Sequence, residues 1–403
     1  MTLSDPEKAG VSHVPNIAWP PTIKCSAADA EQTHHVCGAA RADRGTWHDA
    51  DDVSALGQPF GFNITFYRED DRVSQAGPLT EQDIVARLEE RLGRVHARQR
   101  LGIESDHEAQ IFGQGLNFFH PENWYSVQAA MRTIFKLTGL YWRGQKNTER
   151  IEIRHNYVAR QDLPPSFGGF TILQLSDLHA DMNPGAMRRL IELLREVQYD
   201  ICVLTGDYRG QTFGPFDAAL EGVSQVRAQL KELVYGVLGN HDTIRMVPGL
   251  EEIGIRMLLN ECETITRGDQ QIHLAGVDDA HYYRADNIEK AASGIPPGGF
   301  SILLSHTPEI YRQAAHADFK LLLSGHTHGG QVCLPGSIPI TLDSVLPRHM
   351  GSGPWRYHDM RGYTAVGVGS SVVAVRFNCA PEITLHHLQR PSSPGSDQAS
   401  KRY

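Results

Sequence analysis

Five short stretches hold the residues whose types and spacing suit chemistry: SDLH at 176–179, TGD at 205–207, GNHD at 239–242, SH at 305–306 and SGHTH at 324–328. Each follows an apolar run, as LLL precedes SGHTH. An unbroken aliphatic run of that length suits a fully buried strand. In α/β sheets, ligands bind at the carboxyl ends of strands. One such ending is an ordinary turn, because Asp and Asn favour turns. Five of them would gather Asp177, His179, Asp207, Asn240, His306, His326 and His328 at one sheet edge. Carboxylates brought so close shift each other's protonation unless cations lie among them. Asp, His and Asn without thiolate suit Mn²⁺, Zn²⁺ or Fe²⁺ better than copper or an iron–sulfur cluster. Seven ligands are too many for one tetrahedral zinc and fit two divalent ions sharing a bridge, an arrangement that serves in-line attack at phosphorus. Gly329 and Gly330 would let the backbone turn sharply and leave space for a substrate beside the metals.

The elements that must position these residues read as a layered α/β domain. RIEIRHNYVA (150–159) alternates like a strand, and FTILQLSD (170–177), DICVLTGD (200–207) and LVYGVLGNHD (233–242) read as buried strands. Helices are expected between them, at about 185–197 and 216–233. Further strands are expected in QIHLAGVDD, FSILLSHTPE, FKLLLSGHTH, YTAVGVGSS and EITLHHL. Upstream, TEQDIVARLEERLGRV opens with a Thr80/Asp83 capping box and carries Ile84, Leu88, Leu92 and Val95 on one helical face. A second helix is expected from Pro121, with Trp124, Val127, Met131, Ile134 and Phe135 on one face, ending at Gly139. The first 75 residues show no sustained period and read as irregular, and the tail PSSPGSDQASKRY is of low complexity. The expected organisation is an extension over 1–148, a catalytic domain over 149–390 and a tail over 391–403.

The ordered motifs D-x-H at Asp177 and His179, G-D at Gly206 and Asp207, G-N-H-D at 239–242, His306, and G-H-x-H at 325–328 resemble those of the calcineurin-like metallophosphoesterases. The resemblance spans about 150–390. LQLSDLH, SGHTHGGQ and RFNCAPEI are similar to a bacterial branch that includes cell-envelope phosphoesterases and UDP-2,3-diacylglucosamine pyrophosphatases. It implies a four-layer α/β/β/α sandwich, with the mostly helical or irregular extension outside it. It also implies that Asp177, His179 and His328 hold one metal, that Asn240, His306 and His326 hold a second, and that Asp207 bridges them. His241 would touch the substrate and protonate the leaving oxygen, a role imidazole suits near neutral pH. The chain departs from the family's protein phosphatases, which carry a second Asp in G-D-x-x-D-R-G; GDYRG has Gly210 there. Asp242 is the candidate to orient His241 instead. Tyr208 adjoins Asp207 rather than standing three residues on, which argues against a tyrosinate–iron site. Arg209 is a candidate bidentate phosphate clamp, and Asp278 and Asp279 are candidates to support the ligands from outside.

Bulk properties bound the function. The chain has 403 residues, 40% apolar and 21% charged, which suits a globular protein with a sizeable core. A net charge of −9 and the lack of a basic–aromatic groove argue against a long nucleic acid as partner. The six cysteines lack regular spacing and read as reduced thiols. No run is long and apolar enough to cross a bilayer and no secretory pattern is visible, so a cytoplasmic setting is expected. Residues 112–143, aromatic and flanked by Arg132, Lys136 and Arg143, form a candidate peripheral contact with the inner face of a membrane. The expected activity is metal-dependent hydrolysis of a phosphodiester or pyrophosphate bond by metal-activated hydroxide, with Mn²⁺ favoured over Zn²⁺ or Fe²⁺. The substrate would be a small-molecule or lipid phosphoester, with UDP-2,3-diacylglucosamine the candidate envelope precursor. The alternatives are a soluble nucleotide phosphodiesterase or phosphatase and an inactive metal-binding protein.

Overall fold

The computed structural model describes residues 80–391 apart from 113–124 and Glu232. The expected irregular segment over 1–75, the helix start at Pro121 and Trp124, and the tail from 392 lie outside the described residues. The described residues fall in one compact unit, Thr80–Tyr403.

The helices used below are α1 (Glu81–Leu92), α2 (Arg94–Phe112), α3 (Tyr125–Leu137), α4 (Leu140–Asn147), α5 (Pro184–Leu194) and α6 (Asp217–Arg227). The strands are β1 (Glu152–Ala159), β2 (Thr171–Leu175), β3 (Ile201–Thr205), β4 (Val234–Val237), β5 (Arg256–Met257), β6 (Glu261–Arg267) and β7 (Gln270–Gly276). They continue with β8 (Ser301–Leu304), β9 (Leu321–Ser324), β10 (Cys333–Leu334), β11 (Ile338–Pro339), β12 (Gly353–Tyr357), β13 (Met360–Thr364) and β14 (Glu382–Gln389). One sheet runs β1-β14-β2-β3-β4-β5 and the other β12-β13-β9-β8-β7-β6, with β10-β11 as a small ribbon. β2 to β5 are parallel, as are β7, β8, β9 and β13, while β6 and β12 close the second sheet antiparallel.

Alternate residues of each strand face opposite layers, and both faces of these strands are apolar because both are covered. Ile172, Val203 and Val237 of the first sheet meet Ile272, Ile302 and Leu323 of the second in the central core. Leu173, Leu175 and Leu204 point the other way, onto Leu88 of α1, Leu190 of α5 and Val223 of α6. Leu303 and Leu322 pack outward on Tyr311 and Ala314. Fully burying one such aliphatic side chain contributes about 1.5–3 kcal/mol. The architecture is therefore the four-layer α/β/β/α sandwich.

Three expectations need correction. The α1 face stops at Leu92, because Gly93 takes φ 86° and caps the helix; Val95 lies beyond it and is 79% exposed. Ile134 on α3 is exposed instead of sharing the packed face, while Phe135 stacks on Phe377 with ring centroids 5.8 Å apart. α6 ends at Arg227, not near 233. The sequence reading missed α2 entirely. Its 19 residues carry no apolar stripe, so periodicity gave no signal.

The parallel register brings the ends of β2, β3 and β4 level, with Leu175 beside Leu204 and Thr205 beside Val237. In the second sheet, Leu304 at the end of β8 pairs with Leu323 of β9. The chemistry-bearing motifs follow directly on these strand ends.

Candidate metal centre

The turns after the strands are tightly wound. Asp177, His179, Asp207, His326 and His328 all have positive φ, between 40° and 73°. Holding a non-glycine residue there costs about 1–3 kcal/mol, and such strain gathers at functional sites. Gly329 and Gly330 also have positive φ, 58° and 82°. A Cβ on Gly329 would lie 2.7 Å from Val366, and one on Gly330 would press on Pro339. Close packing and the turn therefore account for both glycines, which corrects the expectation that they leave space for substrate.

The seven predicted residues come together as two sets of atoms. In the first set, the ligating atoms of Asp177, His179, Asp207 and His328 all lie within 4.8 Å of one another, and all four residues are buried. His179 Nε2 is 3.2 Å from His328 Nε2, and His328 Nε2 is 3.5 Å from an Asp177 oxygen. In the second set, Asn240 Oδ1 lies 2.8 Å from both His306 Nε2 and His326 Nδ1. Asp207 Oδ2 joins the sets, at 3.3 Å from His306 Nε2 and 3.8 Å from His179 Nε2.

Hydrogen bonding fixes what these atoms can do. His179 Nδ1 donates to the Arg209 carbonyl and His306 Nδ1 to the Thr205 carbonyl, each at 2.8 Å. A neutral imidazole so anchored presents Nε2 as a lone pair, the tautomer a metal requires. The two Nε2 lone pairs, the Asp207 carboxylate and the Asn240 carbonyl oxygen would then face one another as acceptors. Buried acceptors without a donor are costly, and a divalent metal centre among them would resolve the conflict. Charge points the same way. Burial opposes charge on His306, yet without a metal the Asp207 and Asp177 carboxylates hold its pKa up at about 10, so that a proton on Nε2 stands where a bound cation would otherwise offset their charge. Burial pushes the Asp177 carboxyl up, against His306 and with Asp207. Asp207 stays well below the carboxylate range: burial would raise it, but His306 and His241 outweigh that. The donor set fits divalent metal ions.

His241 lies edge-on to His179, with ring centroids 5.3 Å apart, and its backbone N–H donates to Asp207 at 3.0 Å. Its Nδ1 lies 3.1 Å from Thr212 Oγ1. Asp242 does not take the orienting part considered for it. Its carboxylate accepts the backbone N–H groups of Asp207, Tyr208 and Gly239 at 2.8–2.9 Å, and so ties the GD and GNHD turns together. Burial and the Asp207 charge push its carboxyl up to about 6. Arg209 likewise differs from the expected phosphate clamp. Its guanidinium donates to the carbonyls of His241, Gly214 and Thr212 and fixes the loop that carries Thr212.

Sequence reasoning missed Thr212, for which the sequence carries no signal, and the network on α2. Arg100 and Glu104, both buried, pair at 2.6 Å. Glu104 accepts from Thr243 Oγ1 and the Ile244 N–H, and Arg100 donates to the Asp242 carbonyl at 3.1 Å. Asp278, at the end of β7, receives His96 at 2.8 Å and Arg100 at 3.3 Å. Asp279 accepts the Tyr282 and Tyr283 N–H groups. The only available hint was the i,i+4 pairing of Arg100 with Glu104. A second cluster, His281, His326 and Asp343, also lies within 4.8 Å. Arg376 of RFNCAPEI is fully buried and donates to the Val366 and Gly369 carbonyls at 2.7 and 2.6 Å, which shapes the loop behind His328.

Known proteins are similar to the chain over the region that carries these motifs. The model of the calcineurin-like phosphoesterase family matches residues 170–330. The uncharacterized metallophosphoesterase YkoQ of Bacillus subtilis is 28% identical over 61% of this chain and 94% of its own length. Phosphodiesterase YaeI of Escherichia coli is 28% identical over 59% of this chain and 87% of its own. A transmembrane protein with metallophosphoesterase domain from Danio rerio is 31% identical, and there the match covers 56% of this chain and 55% of that protein. Residues 80–169 lie outside the family match, although α2 supports the His241 turn from there. The matched span holds every strand-end motif, and the buried Asp/His cluster sits at those strand ends. Residues 170–330 match the calcineurin-like phosphoesterase domain, and with the buried Asp/His cluster at its strand ends the chain is a metal-dependent phosphoesterase.

Proposed function

We propose that the chain hydrolyses a phosphodiester or pyrophosphate bond with two divalent ions, Mn²⁺ foremost. Asp177, His179 and His328 would hold one ion and Asn240, His306 and His326 the other, with Asp207 shared. The observation that supports this reading most is the position of Asp207 Oδ2, within 3.8 Å of His179 Nε2 and 3.3 Å of His306 Nε2. When bound, the ions supply a nucleophile at neutral pH and neutralise charge on the phosphoryl oxygens. The rest of the work falls to the chain. The Arg209 and Thr205 carbonyls keep His179 and His306 in the ligating tautomer. His241 gives a proton to the leaving oxygen from its Nε2 while Thr212 holds Nδ1. Asp242 keeps the turns that carry Asp207 and His241 in register.

The name of the E. coli relative, a phosphodiesterase, favours the diester. An envelope lipid precursor such as UDP-2,3-diacylglucosamine is the proposed substrate. In the expected contact segment, exposed Leu137 and Trp142, 83% and 64% accessible, lie among exposed Arg132, Lys136 and Arg143, a composition suited to a membrane surface. No helix among the described residues is long and apolar enough to cross a membrane. Peripheral attachment at the cytoplasmic face fits these features.

The test is hydrolysis of bis-p-nitrophenyl phosphate beside p-nitrophenyl phosphate, with Mn²⁺ and with chelator. Chelator-sensitive cleavage that favours the diester is expected. Preference for the monoester would replace this reading with a phosphatase.

A further inference from the structure

A cavity of about 420 Å³ lies between the start of α2 and the loop that follows β7. Arg94, His96, Arg284 and Lys290 line it, and among the described residues Asp286 is the sole acidic group in the lining. Arg94, Arg284 and Lys290 are exposed, and no ion pair or side-chain hydrogen bond engages any of the three among the described residues. Elsewhere in the molecule Arg87, Arg91, Arg98, Arg245 and Arg256 each meet a carboxylate. The chain carries a net charge of −9, so carboxylates are plentiful, yet three cations line this concavity and Asp286 is its one acidic group among the described residues. Like charges so gathered repel, and an anion between them removes the repulsion. Arg284 also holds a left-handed backbone, φ 51°, at a cost of about 1–3 kcal/mol.

His96 joins this cavity to the metal centre. Its buried Nδ1 has no hydrogen-bond partner among the described residues, and its Nε2 lies 2.8 Å from Asp278. Asp278 in turn meets Arg100 at 3.3 Å, and Arg100 donates to the carbonyl of Asp242, next to His241.

We infer that this cleft binds a small soluble anion bearing a phosphate or sulfate group, clamped by Arg94, Arg284 and Lys290. Its occupancy bears on the His241 turn through His96, Asp278 and Arg100; this consequence rests on the function proposed above, while the binding does not.

Calorimetric titration of the full-length, metal-loaded protein with sodium sulfate, at ionic strength held constant with sodium chloride, tests the site. Saturable binding is expected, weakened at least tenfold in Arg284→Glu and in Lys290→Glu. Arg94→Gln, a milder change at an exposed position, should weaken it too and covers the case in which a charge reversal fails to fold. Absence of saturable heat, or equal affinity in wild type and variants, overturns the site. Turnover of the chromogenic diester is read at saturating sulfate. A change in rate that Arg284→Glu abolishes supports the coupling, and an unmoved rate despite binding overturns it. Pelleting with phosphatidylglycerol vesicles that Arg284→Glu abolishes, with no sulfate heat, would overturn the soluble ligand in favour of a lipid headgroup.

Discussion

His241 and Thr212 show how little separates a ligand from a proton donor in this site. His241 neighbours Asn240 in sequence, yet its imidazole meets a hydroxyl at 3.1 Å while Asn240 Oδ1 meets two histidines at 2.8 Å. His241→Ala should therefore keep its metal while kcat falls by about 10²–10⁴, the range for general acid–base catalysis. Metal analysis beside steady-state rates checks this, and metal loss would assign His241 to the ligands instead. Thr212→Val should lower kcat with KM little changed, and Thr212→Ser should restore most of it. A Ser variant as slow as Val would mean that packing, not the hydroxyl, is what matters. The strand-end motifs were legible because each ligand lies within four residues of a buried strand in the sequence. Thr212 was not, because a hydroxyl in a loop carries no pattern until the fold brings it to a ring.

At the scale of elements, the helix that sequence patterning could not find is the one that supports the catalytic turn. α2 carries no apolar stripe; beside Ala97 and Leu101, which pack on the core, its buried contacts are ionic, Arg100 with Glu104 and Asp278. Removing one partner of a buried pair leaves an uncompensated charge and costs about 3–5 kcal/mol. Arg100→Met should lower stability by that order in urea unfolding, with the loss concentrated in one cooperative transition. A change below about 1 kcal/mol, the scale of an exposed pair, would show that α2 is dispensable. The central strands were readable as apolar runs, whereas β5 and β12 escaped: the former has two residues, and Gly, Pro and Arg interrupt the latter. Sheet order could not be read at all, since β14 inserts between β1 and β2 from the far end of the chain.

Across the whole molecule, acid sensitivity and metal dependence should be separable. His386 is fully buried in β14, where its Nε2 donates to Gln174 at 2.9 Å, and burial pushes its pKa down to about 3. The unfolded chain binds a proton near pH 6.5 and the folded chain does not, so this contribution to stability is present above pH 6.5 and is lost as pH falls towards 3. Melting temperature should drop across that window with metal saturating, and His386→Gln should flatten the dependence. An unchanged slope in the variant would place the sensitivity elsewhere. The most direct test of the central claim, two ions sharing Asp207, is titration of chelator-stripped protein with Mn²⁺ while diester turnover and bound metal are followed together. The account predicts activity that rises until two equivalents are bound per chain, with Asp207→Asn inactive and short of metal. Full turnover at one equivalent, or near-normal rates in Asp207→Asn, would contradict it.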